Sequence, residues 1–453
     1  MSYRFDRDEL FSLAGWLTRI AADLDDTVFA ANEALARTNR SSSAVRALGR
    51  VGAESEARAA DLGRRAAFLG EITAGQVNVE GWSSAWDRRL ELAALWGQVD
   101  AFTGSDNDPR LDALLRRSAD HERAWLAALK ELSPVQVAAV SAALPSEIGR
   151  RLALTDPHMV ASTDGLPLAW RALATRRLMR IEADRLRSSS AEIGELSSGR
   201  LQLLEAWLGS DRTFVWFDAA GDGQMIEVVG DIDAATGIGV FVPGIGSEIG
   251  TFEAVASHAR GLVAVARSMN QEIAVVAWLG YDAPAIGWNI EPLLGDQAKA
   301  GSPSLVAFVD GLAAQTPLVP LTVIAHSYGS VLAVRAAAHD HLAADRLVIV
   351  GSPNVGVDHA HKLVVPEPAA VFVGEAPSDP VTAIGEFTDG WRDDWSGLGH
   401  GYDPGACHWG ATIFEVQDVG LIEAHVTYTS GVSGETIVQI MTGDPENVSD
   451  RCG

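Results

Sequence analysis

The chain has 453 residues and a mass of 48.0 kDa, room for two or three domains. Hydrophobic residues make up 47% and charged residues 21%, which excludes a wholly disordered chain. A net charge of −25 and a pI near 4.7 provide no basic footprint for phosphate, so nucleic acid is not an expected partner.

The charge is uneven. Residues 1–200 carry 28 acidic and 26 basic residues, and residues 201–453 carry 32 and 9. This predicts two differently built regions, a helical one over 1–200 and a second over 201–453. Lysine occurs only at Lys130, Lys299 and Lys362, never after glycine, so a P-loop is excluded. Cys407 and Cys452 are too few for a disulfide framework, and a bridge between them would only tether the tail. The opening MSYRFDRDELFS is charged where a signal peptide would be apolar, and no run reaches ~18 apolar residues. No membrane span is expected. Cytoplasm is the default location, with export independent of a signal peptide as the alternative.

Residues 4–200 read as helix. Leu10, Leu13, Leu17, Ile20 and Leu24 form one apolar stripe. A polar break at Asn39–Ser43 precedes a second long helix within 50–75, suggesting an antiparallel hairpin. Further helices are expected within 85–98, 109–130, 134–143 and 166–206.

At about residue 211 the pattern changes. Thr213–Asp218 and Met225–Val229 flank Ala220-Gly221-Asp222-Gly223 as a hairpin. Short runs at 239–242, 273–278, 321–325, 347–350, 370–373 and 412–416 then alternate with helical patterns, one over 251–268. Non-alternating Val/Ile runs suit strands buried on both faces. The expected fold class is therefore α/β, a mostly parallel sheet covered by helices and preceded by an all-α region.

The most informative segment is LTVIAHSYGSVLAVRAAA, residues 321–338. A β-branched strand leads into Ser327 and an alanine-rich helix leads out, the context of a nucleophile elbow. Gly329 fills the second small position, and Ala325 stands where the first glycine would be. The acid and base should follow in the order Ser, Asp or Glu, His. Asp379, just after the strand ending at Val373, is favoured as the acid, although Asp379-Pro380 also suits a helix N-cap. Asp358 is the alternative. His425 is the only histidine beyond the last strand and the candidate base; His400 and His408 precede that strand. The oxyanion donors should be the N–H of Tyr328 and an N–H of the Val242-Pro243-Gly244-Ile245-Gly246-Ser247 loop, that of Ile245 being preferred. Gly244-Ile245-Gly246 is not a dinucleotide loop, because residue 249 is isoleucine.

The pairs His339/His341 and His359/His361 lack a zinc-enzyme spacing and read as surface histidines. The stretch from Trp278 to 302, irregular by its pattern, holds Pro284, Ile286, Trp288, Ile290 and Leu293. It suits an active-site cover or acyl-binding wall, with core packing as the rival reading.

These residues resemble an actinobacterial group of alpha/beta-hydrolases catalogued as a domain of unknown function. The resemblance rests on GDGQMIEVVGDIDAATGIGVFVPGIGS, AWLGYDAP, TVIAHSYGSVLAVRAA, LVIVGSPNVGVDHAHKL and AHVTYTSGVSGETIVQIMTG. The family reads GHSYGS at the elbow, so Ala325 departs from it. Its ending GHSSYW stands here as Glu423-Ala424-His425-Val426-Thr427-Tyr428, keeping the histidine and the aromatic. The resemblance implies an alpha/beta-hydrolase fold and the triad Ser327, Asp379 and His425, without a substrate. The first hundred residues are similar in outline to the helical hairpins of WXG-type secretion substrates; the one Trp-x-Gly of interest, Trp207-Leu208-Gly209, lies outside any hairpin link.

The expectation is a serine hydrolase acting on a small-molecule or lipid ester, with no cofactor and no metal. Residues 1–200 would serve a helical partner or a second copy. Two other readings stand beside it: an idle hydrolase-fold scaffold, and an exported toxin-like lipase delivered by its helical region.

Overall fold

The protein is described from a computed structural model over residues 79–100, 109–142, 144–188, 195–285, 295–365, 370–382, 401–443 and 448–452. The proposed hairpin within residues 4–75 lies outside the described residues, as do His400 and most of the proposed cover, Ile286, Trp288, Ile290 and Leu293.

The chain forms two compact units. Among the described residues, the first comprises those from 79 to 148, with 165–167 and 311–318. In it, α1 (Val79–Asp100) packs along α2 (Pro109–Leu129). Their buried residues Leu92, Leu95, Trp125, Leu126 and Leu129 form the contact face. Pro134 opens α3 (Pro134–Ser141) behind a capping box. In it the Ser133 hydroxyl takes the Gln136 N–H, and the Gln136 side chain takes the Ser133 N–H.

The second unit comprises residues 149–164, 168–310 and 319–453. The helical segments α4 (Ser146–Thr155) and α5 (Pro157–Ser162) precede α6 (Leu168–Ser188) and α7 (Glu195–Leu208). Met179, Ala183, Leu186, Leu204 and Trp207 of α6 and α7 join the same core as the sheet.

The sheet has eight strands: β1 (Thr213–Asp218), β2 (Gln224–Val229), β3 (Gly237–Val242), β4 (Ile273–Leu279), β5 (Leu321–His326), β6 (Arg346–Val350), β7 (Val371–Gly374) and β8 (Thr412–Ile413). Their order is β1-β2-β4-β3-β5-β6-β7-β8. β1–β2 and β2–β4 are antiparallel and the other pairs parallel. β3, β4 and β5 are buried at every residue, as non-alternating apolar runs require. The helices α8 (Phe252–Ser268), α9 (Asp296–Gln315), α10 (Tyr328–His339), α11 (Leu421–Val426) and α12 (Gly431–Met441) complete the order.

β2 carries a buried carboxylate, Glu227, which burial would penalise if unpaired. Arg212 meets it with two bonds of 2.6 and 2.7 Å. Arg212 also bonds Glu253 of α8, which takes the Trp207 indole N–H at 2.6 Å. These contacts tie α7, β1, β2 and α8 together.

From β3 the chain crosses to β4 on one side, and β5 then lies on the other. The loops leaving β3 and β5 therefore diverge at the carboxyl edge, opening the crevice in which such sheets hold their ligands.

Two expectations are corrected. The last strand, expected over 412–416, is only Thr412–Ile413. Phe414 still donates its N–H to Val373, but β7 ends at Gly374 and leaves no further partner. The stretch expected to be irregular up to 302 is helical from Asp296, with Pro303 inside α9. A Cβ on Gly301 would lie 2.7 Å from the Tyr281 side chain and 2.8 Å from Leu332, so a bare backbone lets α9 pack this closely.

Candidate active site

β5 delivers Ser327 at the carboxyl edge, and α10 begins at the next residue. Ser327 adopts φ 56° and ψ −133°, a conformation costing a non-glycine residue about 1–3 kcal/mol. Three contacts over-determine it. Its N–H donates to Val350 O at 3.0 Å, its carbonyl accepts Ser330 N–H at 2.9 Å, and the Ser330 hydroxyl donates to the same carbonyl at 2.7 Å.

The small residues have direct reasons. A Cβ on Gly329 would lie 2.4 Å from Val242 O and 2.7 Å from Pro243 O. Ala325 is fully buried in β5, so its methyl is absorbed in the core. A Cβ on Gly244 would lie 2.6 Å from Ser327 Cβ, 2.9 Å from Ser327 Oγ and 3.1 Å from Tyr328 N. The loop after β3 thus runs with bare backbone against the serine hydroxyl and the N–H that follows it. That loop is pinned twice: Tyr281 donates its hydroxyl to Pro243 O at 2.8 Å, and Gly246 donates its N–H to Pro284 O at 2.8 Å. Ile245 lies between these pins and is 36% exposed.

Asp379 sits in the loop after β7 and is fully buried. Its Oδ1 accepts the Val381 N–H at 2.8 Å, so it serves the start of the 380–382 turn as a cap residue would. Its Oδ2 accepts His425 Nδ1–H at 2.8 Å and the Tyr428 hydroxyl at 2.7 Å. Burial alone would raise the Asp379 pKa. The bonds from His425, Tyr428 and Val381 outweigh burial and hold it below the usual carboxylate value. A carboxylate can only accept, so His425 carries a proton on Nδ1, and Nε2 is the ring nitrogen this bond leaves over. The His425 side chain keeps 18% exposure. Tyr428 also accepts the Ala376 N–H at 3.0 Å, and burial raises the pKa of its hydroxyl.

Asp358 is elsewhere engaged. It is half-buried and pairs with Lys362 at 2.7 Å. Trp207 closes α7, buried against Phe214 and Phe252. His408 is exposed, and the His359 and His361 rings lie tilted against each other with centroids 4.1 Å apart. Among the described residues no group of three or more His, Cys, Asp or Glu side chains is arranged to hold a metal.

The sequence reading assigned no role to His258, His326 or Tyr428. His326, buried beside the serine, places Nε2 2.6 Å from the main-chain oxygen of His425. His258 on α8 stacks on Phe241 at 4.7 Å and bonds Thr429 Oγ1 at 2.8 Å. Tyr428 follows His425 at one-turn spacing, a signal that could have drawn notice; the two histidine contacts span 99 and 171 residues and leave no local trace.

The alpha/beta hydrolase family matches residues 218–389. An uncharacterized protein of Mycobacterium tuberculosis is 28% identical over 282 residues, covering 54% of this chain and 43% of the relative. The chain thus spans less than half the length of that relative. An uncharacterized protein of Mycobacterium bovis is 31% identical over 191 residues, covering 39% of this chain and 70% of the relative. The solved structure of esterase PE8 overlays with a TM-score of 0.31 at 15% identity, covering 49% of this chain and 97% of that one. The chain belongs to the alpha/beta hydrolase family.

Proposed function

We propose that the chain is a serine hydrolase cleaving carboxylic esters through an acyl-enzyme. Ser327 Oγ attacks the ester carbonyl while His425 Nε2 takes its proton. Asp379 keeps the imidazole in the Nδ1–H tautomer and stabilises the imidazolium. The Tyr328 and Ile245 N–H groups hold the tetrahedral oxyanion, each worth about 10²–10³ in turnover. His425 returns the proton to the departing alcohol. Water, deprotonated by His425, then releases the acid and restores Ser327. No step needs a metal or organic cofactor. We assign this chemistry to residues 201–453.

The observation that carries the reading is the Asp379–His425–Tyr428 bonding, with His425 packed on His326, the residue before a serine strained at positive φ. Such strain survives only where the surroundings enforce it. An apolar acyl group is supported by Ile245 beside Gly244 and by Val426 beside His425, 36% and 50% exposed. A fluorophosphonate probe tests the assignment. The wild-type chain should label at Ser327 and hydrolyse p-nitrophenyl esters, and Ser327→Ala should do neither. A folded wild-type chain that neither labels nor hydrolyses is an idle scaffold.

One observation favours the exported form of this enzyme. Cys407 and Cys452 form a disulfide, a bond that persists in oxidising compartments and is rare in the cytosol. Recovery of the oxidised chain from culture medium, with lysis controls, tests it.

A further inference from the structure

His326 precedes Ser327 in the chain and faces the turn that carries His425. Its Nε2 lies 2.6 Å from the His425 carbonyl oxygen. A carbonyl only accepts, so that nitrogen bears the proton. The imidazole is buried and enclosed by rings: His425 at 4.6 Å, His258 at 5.5 Å, and Phe241 and Tyr428 at 6.1 Å. Burial, then the neighbouring His425 and His258, lower its pKa well below the usual histidine range, so it stays neutral and keeps one N–H to give.

The turn from His425 to Thr429 is then held at three points. His326 donates to the His425 carbonyl. The Tyr428 hydroxyl donates to Asp379 and accepts the Ala376 N–H, and the Thr429 hydroxyl is bonded to His258 Nδ1. The first hold differs from the others because its donor is the residue next to the nucleophile. One hydrogen bond therefore links the backbone of the base to the side chain of the residue that precedes the serine, although the two lie 99 residues apart.

We propose that His326 is a positioning residue, whose Nε2–H grips the His425 main-chain carbonyl and sets the His425 imidazole at working distance from Ser327. The inference rests on the hydrolase reading above. A base displaced by about 1 Å can cost on the order of 10²-fold in rate. The hold thus bears on kcat, because it aligns proton transfer without touching the acyl group.

The test uses the full chain with His326→Leu, which fills the space without a donor, and His326→Gln, which offers an N–H. Folding is checked by circular dichroism and Tm. On p-nitrophenyl butyrate, His326→Leu should lose roughly 10- to 100-fold in kcat with KM within about twofold, and His326→Gln should regain most of the loss. The His425 Nδ1–H proton resonance should broaden in the Leu variant and sharpen again in the Gln variant. A folded His326→Leu with wild-type kcat and an unchanged resonance overturns the proposal, as does a Gln variant no better than the Leu one. Failure of the hydrolase reading looks different, because there the wild-type chain itself neither labels nor turns over.

Discussion

Tyr428 donates its hydroxyl to Asp379 Oδ2 at 2.7 Å, the same oxygen that takes the His425 N–H at 2.8 Å. The tyrosine thus sustains the charge that orients the imidazole, within a pocket that would otherwise disfavour a carboxylate. Tyr428→Phe removes one of three bonds to a buried anion and should cost about 1–3 kcal/mol of stability. Without that donor the Asp379 pKa rises, so the acid limb of the kcat/KM profile should move to higher pH. Stopped-flow ester hydrolysis between pH 4 and 8 reads this, and an unmoved limb contradicts it.

The acid assignment separates two carboxylates. Asp379→Asn replaces the acceptor for His425 by an amide and admits the wrong tautomer, so turnover should fall by orders of magnitude. Asp358→Asn breaks only a partly exposed pair with Lys362 and should leave turnover within about twofold. Parallel kinetics on the two folded variants decides between them, and a reversal would make Asp358 the acid.

Gly244 is predicted to be intolerant for a local reason. A methyl there would crowd Ser327 Oγ and the Tyr328 N–H, the space where an ester oxygen must settle. Gly244→Ala should lose at least about 10²-fold in kcat/KM, comparable to removing an oxyanion donor. Fluorophosphonate labelling should slow in step. Near-normal kinetics would move the oxyanion site elsewhere.

Buried histidines predict acid sensitivity. His258 is pushed down to about 4, by burial first and then by His425, and His326 is lowered as well. The folded protein leaves these rings neutral at a pH where the unfolded chain protonates them. Below about 6.5 the unfolded state therefore binds more protons, and stability falls as pH drops toward 4. His258 alone should cost about 3 kcal/mol across that window. Asp379, with its lowered pKa, acts only at more acidic pH. Thermal melts from pH 8 to 4 should show the decline, and His258→Gln should flatten it. A Tm constant from pH 7 to 5 would refute the assignment.

Much of this architecture was legible along the chain because the parallel strands β3 to β7 are short, mainly apolar runs without polar alternation, as buried parallel strands require. The elbow was legible because Ser327 sits between β-branched and alanine-rich segments. What escaped was decided across the fold. β8 stops after two residues because its neighbour ends, not because Phe414-Glu415-Val416 resists extension. His258 and His326 owe their place to partners far away in the chain, and Asp379 both caps a turn and receives His425, two roles that looked like rivals in sequence.

The Cys407–Cys452 bond has a consequence for the outer rim of the sheet. Ile413 turns its own N–H and C=O away from β7. The N–H meets Asp450 Oδ1 at 3.0 Å, and the C=O meets the Arg451 N–H at 2.8 Å. The cystine staples that segment in place. The shortest strand is thereby sealed by its own chain, and the row of amides along which a neighbouring molecule would add a strand is spent before any neighbour arrives.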